Sequence, residues 1–243
     1  MSTTKVASIV RRVAVCSSRE ANQFIYAGHV LVNGAVATHP TQEVPVDADI
    51  QLSDRAKNIQ AQKISIILNK PLHYSTVAST DARADQNAKK LLNAASRDGS
   101  CKTKHDPKQL RRLFVAGHLD RAATGLVVFS QDGAVSRRVR GGDEPVEYEY
   151  HVKVAGNVSE GVLSIMREGL CMDGTELAPC QVEEIAEGQL KFVMLEQRKR
   201  QLQRMCELVG LRVNAIHRAR IGRLGLGSLA MGKWRVLLPH EEI

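Results

Sequence analysis

An acid at the threshold of a buried strand is the first candidate for chemistry in this chain. Asp120 closes the segment Gly117-His118-Leu119-Asp120 and precedes a turn-like stretch and the apolar run GLVVFS, residues 125–130. A carboxylate in that place can attack a sugar or a base, or balance the charge that develops on one, if it is ionised, fixed and shielded from water. It can equally be a turn aspartate that accepts hydrogen bonds from neighbouring amides. Tyr150 is the second candidate. It lies in YEYHVKV, residues 148–154, where a period of two puts Tyr148, Tyr150, Val152 and Val154 on one side of a strand. A flat ring there suits stacking on an unpaired base, and it also suits an apolar core.

The cations are clustered. Residues 198–223 carry eight basic side chains, Arg198, Lys199, Arg200, Arg204, Arg212, Arg218, Arg220 and Arg223, against the single acid Glu207. Arg11, Arg12 and Arg19 form a second group in a chain of net charge +8. Such clusters attract a polyanion, most simply nucleic acid; a solvated basic face without a partner is the plain alternative. Contacts of this kind position a nucleic acid by its phosphates and do not read its bases. The five cysteines include no Cys-x-x-Cys pair, and the histidines lack ligand spacing. Neither a disulfide framework nor a metal site is expected, and the thiols read as reduced and mostly buried. No run approaches the length of a bilayer span, and MSTTKVASIVRRV has no continuous apolar stretch of the secretory kind. The expected setting is the cytoplasm, with no membrane partner, and the expected state is a monomer.

Two units position these residues. In residues 1–53, the stretch CSSREANQFIYAGH reads as a helix. Ser17 and Glu20 form its capping box, Ala21, Phe24 and Ile25 its apolar stripe, and Gly28 its stop. Asn33-Gly34 between short apolar segments predicts a hairpin, since both residues accept positive φ. Residues 53–62 are polar and weakly patterned, and read as a linker. From 63 to 243 the pattern predicts an α+β unit built mainly on sheet. Its strands are ISIILN (64–69), GLVVFS, YEYHVKV and KFVMLE (191–196), and RQLQRMCELVG (200–210) forms a helix stopped by Gly210. Residues 81–112 read as a helix plus a long surface loop.

Several segments together resemble one family. LNKP (68–71), GHLDRAATGLVVFSQDG, YEYHVKV, RQLQRMCELVG and HRARIGRLGLGSLAMGKWRVL follow, in order, the motifs of the RsuA family of pseudouridine synthases, which includes the RluB, RluE and RluF types. Residues 1–53 look like the S4-like RNA-binding domain that precedes the catalytic domain there. The resemblance implies a mixed, mainly antiparallel synthase sheet behind an S4-like domain. It implies isomerisation of a uridine in structured RNA, the base leaving through N1 and rejoining through C5, with no metal or organic cofactor. Asp120 would be the nucleophile, Tyr150 would stack on the base, and Arg204, which matches a further motif arginine, would be the third catalytic residue. His118, Arg11, Arg12, Arg19, Arg198, Lys199, Arg200, Arg218 and Arg220 would contact RNA, ribosomal first and transfer RNA second. Three positions depart from the family pattern. His118 stands where the family has arginine, Gln203 where it has the lysine or arginine that pairs with the catalytic aspartate, and His73 where it has glycine. The stretch 71–117 also exceeds the family's length, which would set a basic loop against RNA. These departures keep a second reading open, a catalytically inactive RNA-binding protein on the same scaffold, such as a ribosome-assembly factor.

Overall fold

The computed structural model describes residues 2–14, 16–77, 86–99, 110, 112–142, 144–238 and 240–243. The N-terminal part is built from local signals. Strand β1 (Thr3–Lys5) leads into α1 (Val6–Val13) and α2 (Ser18–Tyr26). Both capping-box bonds of α2 are present: the Ser17 N–H donates to Glu20 at 3.0 Å and the Glu20 N–H to the Ser17 hydroxyl at 3.3 Å. The helix stops where Gly28 turns left-handed, at φ 69°. Strands β2 (Val30–Val32) and β3 (Ala35–Val36) form the expected hairpin, with Asn33 and Gly34 at φ 49° and 81°. Strand β4 (Glu43–Pro45) pairs with β1, and β5 (Ile50–Leu52) pairs with β2. Val6, Val10, Phe24, Ile25 and Val30 bury one apolar cluster between helices and hairpin. The segment read as a linker is helical: Ser53 caps α3 (Asp54–Ala61) through the Ala56 N–H.

The second part is one nine-stranded sheet. Strand β6 (Ser65–Lys70) is followed by β7 (Phe114–Val115), β8 (Ala123–Ser130), helix α4 (Gly133–Val139), β9 (Tyr148–Ala155), helix α5 (Glu160–Glu168) and the small ribbon β10 (Cys171–Met172) and β11 (Thr175–Glu176). Then come β12 (Gln181–Ala186), β13 (Gln189–Met194), helix α6 (Gln201–Leu208), β14 (Arg212–Ile221), β15 (Leu224–Gly225) and β16 (Trp234–Val236). The order across the sheet is β12-β13-β9-β14-β8-β6-β16, with β15 added to β14 and β7 to β8. All of these pairs are antiparallel except β14 with β8. The alternation read in YEYHVKV is observed: Tyr148, Tyr150, Val152 and Val154 are buried and the residues between them are not. Trp234 is buried, and its indole donates to the Asn93 carbonyl at 2.8 Å. Where β8 and β14 meet, the backbones come so close that a Cβ on Gly125 would lie 2.3 Å from the Arg218 carbonyl, and Gly125 has φ 108°. Only glycine fits both conditions.

Of residues 81–112, those at 81–85, 100–109 and 111 lie outside the described residues, and with them most of the expected basic loop. The described remainder holds a 3₁₀ turn, Ala88–Leu91. The two parts of the chain meet directly. Lys63 Nζ bridges Glu20 of α2 and Asp132 ahead of α4, the Arg137 guanidinium donates to the Cys16 carbonyl at 3.3 Å, and Gly133 lies so close to Ser17 that a Cβ would fall 2.3 Å from its side chain.

Candidate active site

Asp120 owes its position to its neighbour. Leu119 is buried and pinned by Thr76, whose hydroxyl accepts from the Leu119 N–H and donates to the Leu119 carbonyl, both at 3.1 Å. The next side chain therefore turns outward into a cleft of about 390 Å³. The Ala123 N–H closes the turn by donating to the Asp120 carbonyl at 3.0 Å, at the first residue of β8. The cleft wall carries His118, Tyr150, Gln197, Arg198, Lys199 and Arg200. Across it, the Arg200 backbone N–H donates to the Asp120 carboxylate at 3.1 Å. Arg200 is left-handed, with φ 55°, and starts α6, so the chain reversal there aims its N–H at the acid. The carboxylate is exposed at the mouth of the cleft. The expectation of a water-shielded group is thus corrected, because the fold buries Leu119 and turns its neighbour toward solvent.

Tyr150 is buried at 7 % exposure, and its hydroxyl accepts from Gln197 Nε2 at 2.9 Å. The loop that carries Gln197 through Arg200 is stapled from below. Buried Gln201 accepts from the Arg198 N–H at 2.9 Å and donates to Glu196 at 2.7 Å. Glu196 also receives the Ala178 N–H and pairs with Arg198. His118 is exposed, with its Nδ1 3.3 Å from the Thr76 hydroxyl.

Beneath the acid lie two buried cations. Lys70 is fully buried, and its ammonium donates to the carbonyls of Pro71, Tyr74 and Ala123. Burial drives its pKa down from 10.5 to about 8; the Arg218 charge pushes the same way and the Asp120 charge opposes. Sequence reasoning passed over Lys70, although a lysine that ends an apolar strand is itself a signal that the charge has buried partners. Gln197 and Thr76 were also missed, and nothing local to either residue marks it.

Arg218 is fully buried, with Nε on the Leu126 carbonyl at 2.8 Å and a terminal nitrogen on the His118 carbonyl at 2.9 Å. This corrects the expectation that it contacts phosphate: it braces the backbone that carries Asp120. Arg220 is likewise committed, to Glu149 at 3.0 Å and Glu147 at 3.1 Å. The expected catalytic role of Arg204 is also corrected: it does not line the cleft, since its guanidinium grips Asp173 at 2.6 Å. Gln203 donates to Glu207 at 3.0 Å and makes no bond to Asp120. His73 sits at φ 69°, the left-handed conformation that explains a glycine preference there, and is held to Arg121 by two hydrogen bonds. Arg12 and Arg19 are exposed and Arg11 half-buried in the N-terminal part. Among the described cysteines, Cys16, Cys180 and Cys206 are buried and Cys171 is exposed, all as free thiols.

Residues 64–208 match the RNA pseudouridylate synthase family, and residues 6–50 match the S4 domain. The chain belongs to the RNA pseudouridylate synthase family. The motif order and the S4-like start read from the sequence agree with this assignment, as does the mixed, mainly antiparallel sheet. Among curated relatives, the dual-specificity RNA pseudouridine synthase RluF of Escherichia coli K12 is 27 % identical over 243 residues, covering all of this chain and 78 % of the relative. An Arabidopsis thaliana protein that carries the provisional name of a chloroplastic ribosomal large subunit pseudouridine synthase, SVR1, is 28 % identical, covering 98 % of this chain and 59 % of that one. A crystal structure of a pseudouridylate synthase superposes with TM-score 0.64 at 22 % identity, covering 96 % of both chains, which shows the shared fold.

Proposed function

We propose that this protein isomerises a specific uridine to pseudouridine, in ribosomal RNA, with residues 63–243 performing the chemistry and residues 1–53 gripping the RNA. Asp120 is the nucleophile. The observation that carries the reading is the meeting of Asp120, the Tyr150 ring and three basic residues in one cleft, within a chain of this family. A uridine leaves its stack and enters the cleft, where its base lies on Tyr150. The Asp120 carboxylate bonds to C1′ of the ribose as the N1–C1′ bond breaks and its electron pair passes to the uracil. The base turns, C5 displaces the carboxylate from C1′, C5 gives up its proton, and N1 gains one. RNA closing over the cleft supplies the water exclusion that the free protein lacks. Arg200 supplies the positive charge that Gln203 cannot: its backbone already touches the acid, whereas Arg204 is held by Asp173. The name of the Arabidopsis relative favours ribosomal RNA as the substrate. Because the nucleophile is intact and lies in the cleft, the active enzyme is favoured over an inactive binder. Pseudouridines mapped in total RNA with and without the gene test this. The gene-dependent sites should return with the wild-type gene and stay absent with Asp120→Ala; a return with both would refute the reading.

A further inference from the structure

A second cleft, of about 530 Å³, opens where the two parts of the chain meet. Arg11 and Arg19 line it from the N-terminal part, and Arg137 and Arg140 from α4 and the residue after it. Among the described lining residues the one carboxylate is Glu20, which is occupied by Lys63 and the Ser17 cap. Burial alone would raise the Glu20 pKa, but these bonds outweigh it and hold the group below the usual carboxylate range. Nε of Arg11 is buried without a hydrogen-bond partner among the described residues. Phe114 adds an aromatic ring to this wall and remains 40 % exposed. A lone exposed phenylalanine is unremarkable on a protein surface. Beside Arg11 and Arg19, and facing a wall that carries Arg137 and Arg140, it meets both requirements for gripping single-stranded nucleic acid, a cationic groove for the backbone and a flat face for a base.

We infer that this cleft is a second RNA-contact site, in which Arg11 and Arg19 hold phosphates and Phe114 stacks an unpaired base of the RNA that presents the uridine, while Arg137, on the Cys16 carbonyl, and Arg140, on the Ala116 carbonyl and the Ser136 hydroxyl, build the facing wall and add to its positive field. The inference rests on the reading that RNA is the substrate, and it extends that reading to a surface shared by both parts of the chain. The lines of contact at Lys63, Arg137 and Gly133 fix the two walls relative to each other, so the cleft is formed before RNA arrives. Phe114 and Asp120 are six residues apart along the backbone, a separation of at most about 22 Å. One RNA segment can therefore occupy both clefts.

The test uses the full chain and a short, fluorescein-labelled single-stranded RNA of mixed sequence. Phe114→Ala should weaken binding about tenfold, and Phe114→Tyr should restore it to within about twofold. Arg19→Ala, at an exposed position, should flatten the salt dependence of log affinity by about 0.7, the increment for one phosphate on a single strand. Phe114→Trp gives a direct reading, because the only native tryptophan, Trp234, is 1 % exposed and contributes a constant background. Its fluorescence should be quenched by RNA. Affinity unchanged in Phe114→Ala, or no quenching in Phe114→Trp, would overturn the inference whether or not Asp120 proves catalytic. If these effects appear while the wild type makes no pseudouridine, the cleft stands as an RNA site and the catalytic reading falls.

Discussion

Residues 198–200 and residues 218–220 come from the same basic stretch, yet the structure uses them in opposite ways. Arg198, Lys199 and Arg200 occupy a loop turned by a left-handed residue and line the cleft beside Asp120. Arg218 and Arg220 occupy a central strand, where one braces the backbone of His118 and the other is held by two glutamates. Local positive charge therefore does not identify an RNA contact. The backbone decides: a loop residue can offer its charge to a ligand, whereas Arg218, buried in the strand, has to be satisfied internally and Arg220, near the strand's end, is held by glutamates on the neighbouring strand and just ahead of it.

Five substitutions and a pH dependence probe that difference, beginning with the largest effect. Arg218→Ala leaves the His118 and Leu126 carbonyls without their donor and opens a void under the active-site loop. It should lower the free energy of unfolding by about 3 kcal/mol, read by denaturant titration. A stable variant with only weakened RNA affinity would place Arg218 on the surface and break the contrast. Arg200→Ala should do the reverse, cutting kcat/KM about 100-fold, or roughly 2.7 kcal/mol of transition-state stabilisation, with little change in stability. Gln203→Arg should not raise the wild-type rate, because position 203 faces Glu207; a clear increase would show that the missing charge limits turnover.

Lys70 connects the two regions and predicts a pH dependence. Its ammonium organises three carbonyls beneath Asp120 and loses its proton near pH 8, so turnover at saturating RNA should fall with a midpoint there. Stability should move in the other direction. The unfolded chain keeps this proton up to about 10.5, so between about 8 and 10.5 it binds more protons than the folded state, and unfolding becomes less favourable as pH rises. Turnover that stays flat across this window would remove Lys70 from the account. The smallest effects separate Lys199 from Arg220. Lys199→Ala should flatten the salt dependence of RNA affinity by nearly one unit. Arg220→Ala should leave that dependence unchanged and cost about 1 kcal/mol of stability.

Much of this architecture was legible in the residues. Ser17 with Glu20, Asn33-Gly34 and the alternation of YEYHVKV each encode geometry locally, so the helix, the hairpin and the strand follow from nearest neighbours. Asp120 and Tyr150 were legible as candidates, and the fold brings them to one cleft. The fate of the arginines was not. Arg218 and Arg220 are two apart, a spacing that puts residues on one face of a regular strand. A bulge between them shifts the register, so that Arg218 lies opposite Tyr150 and Arg220 opposite Glu149, on the other face. Nor could Arg204 have been placed, since its partner Asp173 sits 31 residues away on a separate ribbon. Lys70 carried a local signal, a charge ending an apolar strand, with acceptors at Pro71 and Tyr74 close by in the chain; only its third acceptor, the Ala123 carbonyl, is brought to it by the fold.

The central claim is that one carboxylate, held by the Arg200 backbone, performs the chemistry. The most direct measurement compares purified wild type with Asp120→Asn on ribosomal RNA from cells lacking the gene, scoring RNA affinity and pseudouridine formed per enzyme. The account predicts affinity within a few-fold of wild type and a rate lower by at least about 1000-fold, as expected for loss of a nucleophile. Pseudouridine formed by Asp120→Asn at a rate near that of the wild type would contradict it.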